Sequence, residues 1–249
     1  MNFQDLNKIV CTAIDLSKNR EELWCNILKS IKPKYACEIG VWKGEFAKIL
    51  LSNIPSIKKY TMVDPWKNLK DWNKPANFNT IEFNKIRDEA LENVKKFHKK
   101  TIEFRLPTKQ AANKIKNSSL DFIYIDGDHT LRGITIDLIT LLPKIKKNGL
   151  IGGDDFTKNI WQHGNKYDPT QVFPYAVYFS EANNLKIFTL PFNQFLIFND
   201  ADKFEIIDYA NYLSLPINKI YNKPIANFIS PRKILPTNLK KLIKKIFCK

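Results

Sequence analysis

Asp121-Phe-Ile-Tyr-Ile-Asp-Gly-Asp-His-Thr130 is the stretch that decides the fold, because it joins a buried strand to a cluster of polar side chains. Residues 122–125 are apolar or aromatic without alternation, which is typical of a strand covered on both faces of a parallel sheet. Asp126, Asp128 and His129 follow directly. Because ligands of an open α/β sheet bind at the carboxyl ends of its strands, this cluster is the candidate functional site.

A helix (131–142) and a short strand are predicted after this cluster, and a second acidic pair, Asp154 and Asp155, comes directly after that strand. Neighbouring parallel strands end at the same edge of a sheet, so we expect both acids to lie beside Asp126 and His129. Carboxylates crowded at one edge repel each other without a cation, and their oxygens suit Mg²⁺, Mn²⁺ or Ca²⁺. The alternative is capping: Asp128 or Thr130 would cap the helix at 131, and Asp155 would cap a turn.

The composition limits the class of protein. The 249 residues have a formal net charge of +15, which is compatible with nucleic acid, an anionic membrane surface or a phosphorylated substrate as partner, or with an ordinary solvated surface. The four cysteines have no metal-binding spacing, so we expect a reducing compartment without disulfides. Since neither a signal peptide nor a membrane-spanning apolar stretch is visible, the predicted location is cytoplasmic.

The order of the predicted elements gives the fold class. Strands alternate with helices from residue 34 onward, and a final hairpin closes the series because the link 191–194 is too short for a crossover helix. We therefore predict a doubly wound α/β fold with a mostly parallel seven-stranded sheet and an antiparallel last strand. The predicted parts are an N-terminal helical segment (1–33), a Rossmann-like domain (34–199) and a C-terminal extension (200–249).

The predicted strands are 35–39, 60–63, 101–104, 121–125, 150–152, 185–190 and 195–198, and the predicted helices between them are 43–52, 79–98, 108–116, 131–142 and 172–182.

The two ends of the chain are predicted to be helical. Residues 3–16 and the segment after Asn19 show helical apolar spacing, and these helices would pack on the sheet or on a partner subunit, as in a homodimer. After a short helix near 204–213, prolines indicate an extended arm. Residues 238–249 form a basic amphipathic helix, which would lie on the inner membrane face, on the protein itself or on a neighbour.

A nucleoside site is predicted at the end of the first strand. Glu38-Ile-Gly40-Val-Trp-Lys-Gly44 opens a helix, and its glycines would let the backbone approach a ligand. Asp64 ends the second strand, where the acid that binds ribose hydroxyls belongs, although a helix or turn cap before Pro65 is the alternative. A glutamate within an apolar strand is costly unless it is paired, and a cationic ligand would pair it.

With these motifs, residues 35–198 resemble the class I S-adenosylmethionine-dependent methyltransferases. The resemblance implies that Glu38 and the Gly40–Gly44 turn line the methionine end of S-adenosylmethionine, and that Asp64 holds the ribose. It also implies that Thr108, after the third strand, contacts the adenine. Asp126 is included among the cofactor-binding residues.

The polar cluster is similar to that of the metal-dependent sugar O-methyltransferases of the macrocin and mycinamicin kind, and more distantly to catechol O-methyltransferase. This resemblance implies that Asp126, Asp154 and Asp155 bind Mg²⁺ (or Mn²⁺) and that His129 is the general base, and Asp126 is also placed among the catalytic residues. The alternative for His129 is a histidine of the turn that only supports the site. His163 is the second candidate base. The chain departs from the sugar enzymes at Asp154, where they carry a glutamate.

The predicted function is methyl transfer from S-adenosylmethionine to a hydroxyl of a sugar or nucleotide-sugar, as in surface-polysaccharide or glycoside modification. Aromatic residues near the site would stack on the acceptor and lysines would hold a diphosphate; they are Trp66, Trp72, Phe78, Trp161 and Tyr167, with Lys67, Lys70, Lys158 and Lys166. Nucleic acid is not the expected partner, since no RNA-binding module or base-methylation motif is present. The alternatives are a nucleic-acid methyltransferase and a non-catalytic nucleotide-binding protein docked to a membrane.

Overall fold

The computed structural model describes residues 1–200 and 202–215. Its strands are β1 (Tyr35–Ile39), β2 (Lys59–Val63), β3 (Thr101–Phe104), β4 (Leu120–Ile125), β5 (Ile145–Gly153), β6 (Lys186–Leu190), β7 (Gln194–Phe198) and β8 (Glu205–Asp208). They form one sheet in the order β3-β2-β1-β4-β5-β7-β6-β8. The order changes direction between β1 and β4, as in a doubly wound fold, and such a switch point is where these folds bind ligands.

The helices are α1 (Phe3–Asp15), α2 (Arg20–Ile31), α3 (Glu45–Asn53), α4 (Thr80–Val94), α5 (Thr108–Ala112), α6 (Leu131–Leu141) and α7 (Val172–Ala182). The helix predicted over 79–98 ends earlier, and a 3₁₀ turn (Lys95–Phe97) follows it. Its start agrees with the prediction, because Asn79 and Glu82 form a reciprocal capping box.

The predicted strand directions are confirmed. β1 pairs in parallel with β2 and β4, and β4 pairs in parallel with β5. β7 is antiparallel to both of its neighbours, β5 and β6. Its direction relative to β6 follows from the link, since only three residues, 191–193, join the two strands.

The predicted number of strands was wrong, because the described part of the chain contributes eight. The segment near 204–213, predicted as a helix, contains β8, which extends the sheet beyond β6 in parallel. Its two isoleucines explain the difference: Ile206 packs against the core on one face of the sheet and Ile207 against the core on the other. Such alternation is the period of a strand.

The sheet separates two hydrophobic cores, and the N-terminal helices belong to one of them. Trp24 of α2 is fully buried against Phe122 and Tyr124 of β4. Gly152 of β5 lies directly under it, because a Cβ at this position would be 2.0 Å from the Trp24 ring. Of the two packing partners considered for these helices, the sheet is the one observed.

Several predictions from the C-terminal sequence concern residues 216–249, including the proline-punctuated arm and the basic helix 238–249. They lie outside the described residues. Among the described residues, no helix combines the length and the apolar composition needed to cross a bilayer.

Candidate functional site

Four strand ends form one edge of the sheet. Gly40, Asp64, Asp126 and Asp154 each come directly after the last residue of β1, β2, β4 and β5. The hydrogen-bond ladder continues through them: the backbone N–H groups of Gly40, Asp126 and Asp154 donate to the last residues of β2, β1 and β4, over 2.9, 2.8 and 3.0 Å. The sequence-predicted residues of both sites are therefore brought together at this carboxyl edge.

The glycine turn after β1 is shaped by close packing. Gly40 has a φ of +82°, and a Cβ there would lie 2.0 Å from the carbonyl oxygen of Asp126. Gly44 has a φ of +73° at the start of α3, and its Cβ would lie 2.9 Å from the Ala90 carbonyl oxygen. Both positions therefore require glycine, and the turn lies directly against the end of β4.

The carboxyl groups at β1 and β2 have neutral partners from the chain itself. The Tyr60 hydroxyl donates to Glu38 Oε2 over 2.8 Å, and the backbone N–H groups of Trp42 and Trp66 donate to the two oxygens of Asp64 over 3.0 and 2.7 Å. Burial raises the pKa of Glu38 to about 8 and that of Asp64 to about 6. A positive ligand group beside Glu38 would favour its ionised form.

Thr108 lies at the start of α5, beside the buried carboxyl group of Asp137. Burial raises the pKa of Asp137 to about 7, and the Thr108 side chain acts in the opposite direction.

Asp126, His129 and Asp155 form a compact group at the ends of β4 and β5. Each offers one ligand atom, and these atoms lie within 4.8 Å of one another. The Nδ1 atom of His129 pairs with Asp155, and its Nε2 atom lies 3.3 Å from Asp126 Oδ1. Burial alone would lower the pKa of His129, but the two carboxylates outweigh it and raise the pKa to about 10. Asp155 has the converse shift: burial would raise its pKa, but His129 lowers it to about 2.

Asp154 lies beside this group but has other partners. Its Oδ1 atom accepts hydrogen bonds from the Asp155 N–H over 2.7 Å and from Gln194 Nε2 over 2.6 Å. The Gln194 side chain in turn accepts from Trp24 Nε1 and from the Tyr124 hydroxyl, each over 2.8 Å. This buried network connects the acidic edge to helix α2. Burial, together with Asp126, raises the pKa of Asp154 to about 6.

Arg20 is a residue of the site that the sequence analysis missed. It begins α2, and its Nη1 atom pairs with Asp154 Oδ2 and lies 3.2 Å from Asp126 Oδ2. Its guanidinium also lies 5.8 Å from the centre of the Phe46 ring. These partners are 106 and 134 residues away in the chain. Nothing in the sequence around Arg20, which follows the capping Asn19, indicates that its side chain contacts these aspartates.

Two loops cover the acidic edge and bind each other. In the loop after β2, Trp72 Nε1 donates to Asp128 Oδ1 over 2.9 Å. The neighbouring Lys74 is buried, and its Nζ atom donates over 2.8 Å to the carbonyl oxygen of Asp168 in the loop after β5. Burial lowers the pKa of Lys74, against the attraction of nearby aspartates.

The other predicted residues of these loops have different positions. Trp66 is fully buried and donates to the Trp42 carbonyl oxygen over 2.9 Å, so it is a core residue rather than an exposed stacking surface. His163 is exposed, and Gln162 lies between it and Asp155. Thr130 caps α6, as one alternative had it, by accepting from the Gly133 N–H over 3.1 Å.

Comparison with known proteins finds one family model that matches the part of the chain that carries this site. A family model described as "Methyltransferase domain" matches residues 37–156, which contain Gly40, Asp64 and the whole acidic edge. No curated protein matches the chain in sequence.

Three solved structures illustrate the similarity of fold. A proposed caffeoyl-CoA O-methyltransferase from Staphylococcus aureus is 12% identical with a TM-score of 0.55, covering 79% of this chain and 88% of that one. A proposed O-methyltransferase from Klebsiella pneumoniae is 15% identical (TM-score 0.51; 80% and 90% covered). A methyltransferase from Podospora anserina, with S-adenosylhomocysteine bound, is 17% identical (TM-score 0.50; 78% and 86% covered). At such identities the three structures establish the fold.

Proposed function

We propose that this chain, which is an S-adenosylmethionine-dependent methyltransferase of the class I fold, methylates a hydroxyl group with the help of a divalent cation. The observation that carries the proposal is the convergence of Asp126, His129 and Asp155 one strand away from the glycine turn of β1. The predicted methyl-donor site and the group that could activate an acceptor therefore share one edge of the sheet.

The residues after β1 and β2 suit the methyl donor. S-adenosylmethionine supplies a methyl group on a positively charged sulfur. Glu38 and Asp64 are buried acids whose partners here are neutral hydrogen-bond donors, so the ammonium group and ribose hydroxyls of a nucleoside would suit them. Gly40, against the end of β4, would hold this ligand close to Asp126. Thr108 remains the proposed adenine contact.

The donor atoms after β4 and β5 suit a divalent cation. Asp126 and Asp155 supply carboxylate oxygens, which suit both Mg²⁺ and Mn²⁺, and the ring of His129 lies beside them. Such a cation lowers the pKa of a coordinated hydroxyl. Asp154, also predicted as a ligand, lies beside them with Arg20 as its partner.

His129 is the proposed general base. Its ring nitrogens now face Asp126 and Asp155, an arrangement that keeps the ring protonated. If these carboxylates turn to a cation, the ring can release its proton and accept the one of an acceptor hydroxyl. An imidazole suits this role near neutral pH.

A sugar is the proposed acceptor, free in a glycan or linked to a nucleotide. The two covering loops carry Trp72, Trp161 and Tyr167, whose rings suit stacking on a sugar or base. Lys166, exposed in the same region, suits a diphosphate. Modification of surface polysaccharides or glycosides would use such an acceptor.

The test is methyl transfer from isotope-labelled S-adenosylmethionine to a panel of acceptors: nucleotide sugars, free oligosaccharides, a catechol and RNA. We expect transfer to a hydroxylated sugar that stops with a chelator and returns with Mn²⁺ or Mg²⁺. Transfer that persists in the chelator would refute the cation, and transfer to RNA alone would refute the sugar.

A further inference from the structure

The position of Arg20 is determined by the packing of α2. Arg20 and Trp24 are four residues apart, so they share one face of the helix. Trp24 is fully buried on the sheet, and its Nε1 atom is bonded to Gln194. The anchored helix therefore directs Arg20 to the carboxyl edge, where one third of its side chain stays exposed to solvent.

The contacts divide the three aspartates into two sets. Arg20, a permanent cation, pairs with Asp154 Oδ2, while Asp154 Oδ1 accepts two further hydrogen bonds. Both oxygens of Asp155 also have partners, since Gln162 Nε2 donates to Oδ1 over 2.7 Å, but the partner of its Oδ2 is the titratable ring of His129. Asp126 and Asp155 instead each direct an oxygen towards His129. Asp126 also lies within reach of Arg20, so it belongs to both sets.

The charges agree with this division. The three carboxylates carry a formal charge of −3, and Arg20 compensates one of them, since its guanidinium contacts both Asp154 and Asp126. With a neutral His129, a divalent cation compensates the remaining two. A buried carboxylate that lost its arginine would be left without compensation, which is strongly unfavourable.

We propose that Arg20 is a positioning residue that withholds Asp154 from the cation, so that Asp126 and Asp155 are the carboxylates that bind it. The inference rests on the cation binding of the proposed function and assigns the role of the N-terminal helices in it. It also explains why an aspartate, which is shorter than a glutamate, is sufficient at position 154. Asp154 pairs with Arg20 and does not have to reach the ion.

The test is Mn²⁺ titration of the full chain, with free Mn²⁺ measured by electron paramagnetic resonance. We expect Asp155→Asn to weaken Mn²⁺ binding at least about tenfold, and Asp154→Asn to change it by less than about threefold. We expect Arg20→Gln to tighten binding at least about tenfold, because a positive charge is lost and Asp154 is released to the ion. Arg20→Lys, which keeps the charge, should stay near the parent.

The double variant Arg20→Gln/Asp154→Asn should bind Mn²⁺ less tightly than Arg20→Gln alone, because the released ligand is missing. Arg87→Gln is the matched control. Arg87 Nη2 donates to Glu103 over 2.9 Å, and Glu103 lies on β3, the outermost strand of the sheet. It should leave Mn²⁺ affinity unchanged. A second readout needs no metal: a double-mutant cycle of unfolding in chelator should show coupling between positions 20 and 154.

Equal losses in Asp154→Asn and Asp155→Asn would overturn the inference while leaving the proposed function standing, since Asp154 would then be a ligand. Absence of Mn²⁺ binding to the parent and to every variant would overturn both. Unchanged or weaker binding in a folded Arg20→Gln, or no coupling in the cycle, would also overturn the role of Arg20.

Discussion

The two halves of the carboxyl edge hold their acids in opposite ways. At β1 and β2, Glu38 and Asp64 accept hydrogen bonds from neutral donors, and burial raises the pKa of both. At β4 and β5, Asp155 faces His129, which lowers its pKa to about 2, and Asp154 faces Arg20. The first half can accept a positive group directly. In the second half the carboxylates already pair with cationic side chains of the chain itself. A metal ion there has to replace these side chains or bind the same carboxylates beside them.

The largest effect is expected in the second half. His129→Ala should lower methyl-transfer turnover by about 10²–10⁴-fold while S-adenosylhomocysteine affinity stays within a few-fold, because the base is lost and the first half is intact. His163→Ala is the matched control and should stay within a few-fold of the parent, since His163 is exposed. If single-turnover assays showed a larger loss for His163→Ala than for His129→Ala, His163 would be the general base.

The next prediction compares two glycines with similar positive φ values, only one of which is packed against the other half of the edge. Gly40→Ala should cost about 3 kcal/mol or more of unfolding free energy, from a Cβ placed 2.0 Å from the Asp126 carbonyl oxygen and from a φ of +82°. Gly164→Ala has a similar φ of +83° and no atom within 4 Å, so it should cost about 1 kcal/mol. Equal costs in denaturant titrations would show that β1 and β4 are not in close contact here.

A pH-dependent effect tests the first half. The pKa of Glu38 is about 8 in the fold against an ordinary 4.5, so between these values the folded chain holds a proton that the unfolded chain has released. The unfolding free energy of the parent should therefore fall, relative to Glu38→Gln, as pH rises through this window, by on the order of 2 kcal/mol.

This comparison needs ligand-free, metal-free protein, and the difference between the parent and Glu38→Gln should no longer change with pH below pH 4.5. Curves that stay parallel from pH 4.5 to 8 would contradict the burial of a neutral Glu38.

The smallest effect concerns the loops over the second half. Trp72→Phe removes the hydrogen bond to Asp128 and should cost about 1 kcal/mol. Trp161→Phe should cost nothing or stabilise slightly, because Trp161 Nε1 is buried without a hydrogen-bond partner among the described residues. Equal unfolding free energies for the two variants would mean that the Trp72 bond does not hold the loop.

Sequence patterns predicted most of the fold because its signals are local. β1, β3 and α7 have the predicted bounds, since apolar runs and helical spacing identify such elements without tertiary information. β8 was missed because four residues, Glu205–Asp208, become a strand only by pairing with β6. Tertiary pairing of this kind overrides local preference.

The site was partly predictable for the same reason. Asp64, Asp126 and Asp154 could be placed because each follows a strand, and parallel strands end together. Arg20 could not be placed, since its partners are 106 and 134 residues away in the chain. The burial of Trp66 could not be predicted either, since Trp66 lies after β2 and its indole N–H donates to the carbonyl oxygen of Trp42 after β1.

The most direct measurement is calorimetric titration of the metal-free protein with S-adenosylhomocysteine, for the parent and for Asp155→Asn. The account predicts roughly micromolar binding that is nearly equal in both proteins, because the nucleoside site belongs to the first half of the edge. No binding to the parent would contradict the account. So would a loss of affinity in Asp155→Asn, because the two halves would then be a single site.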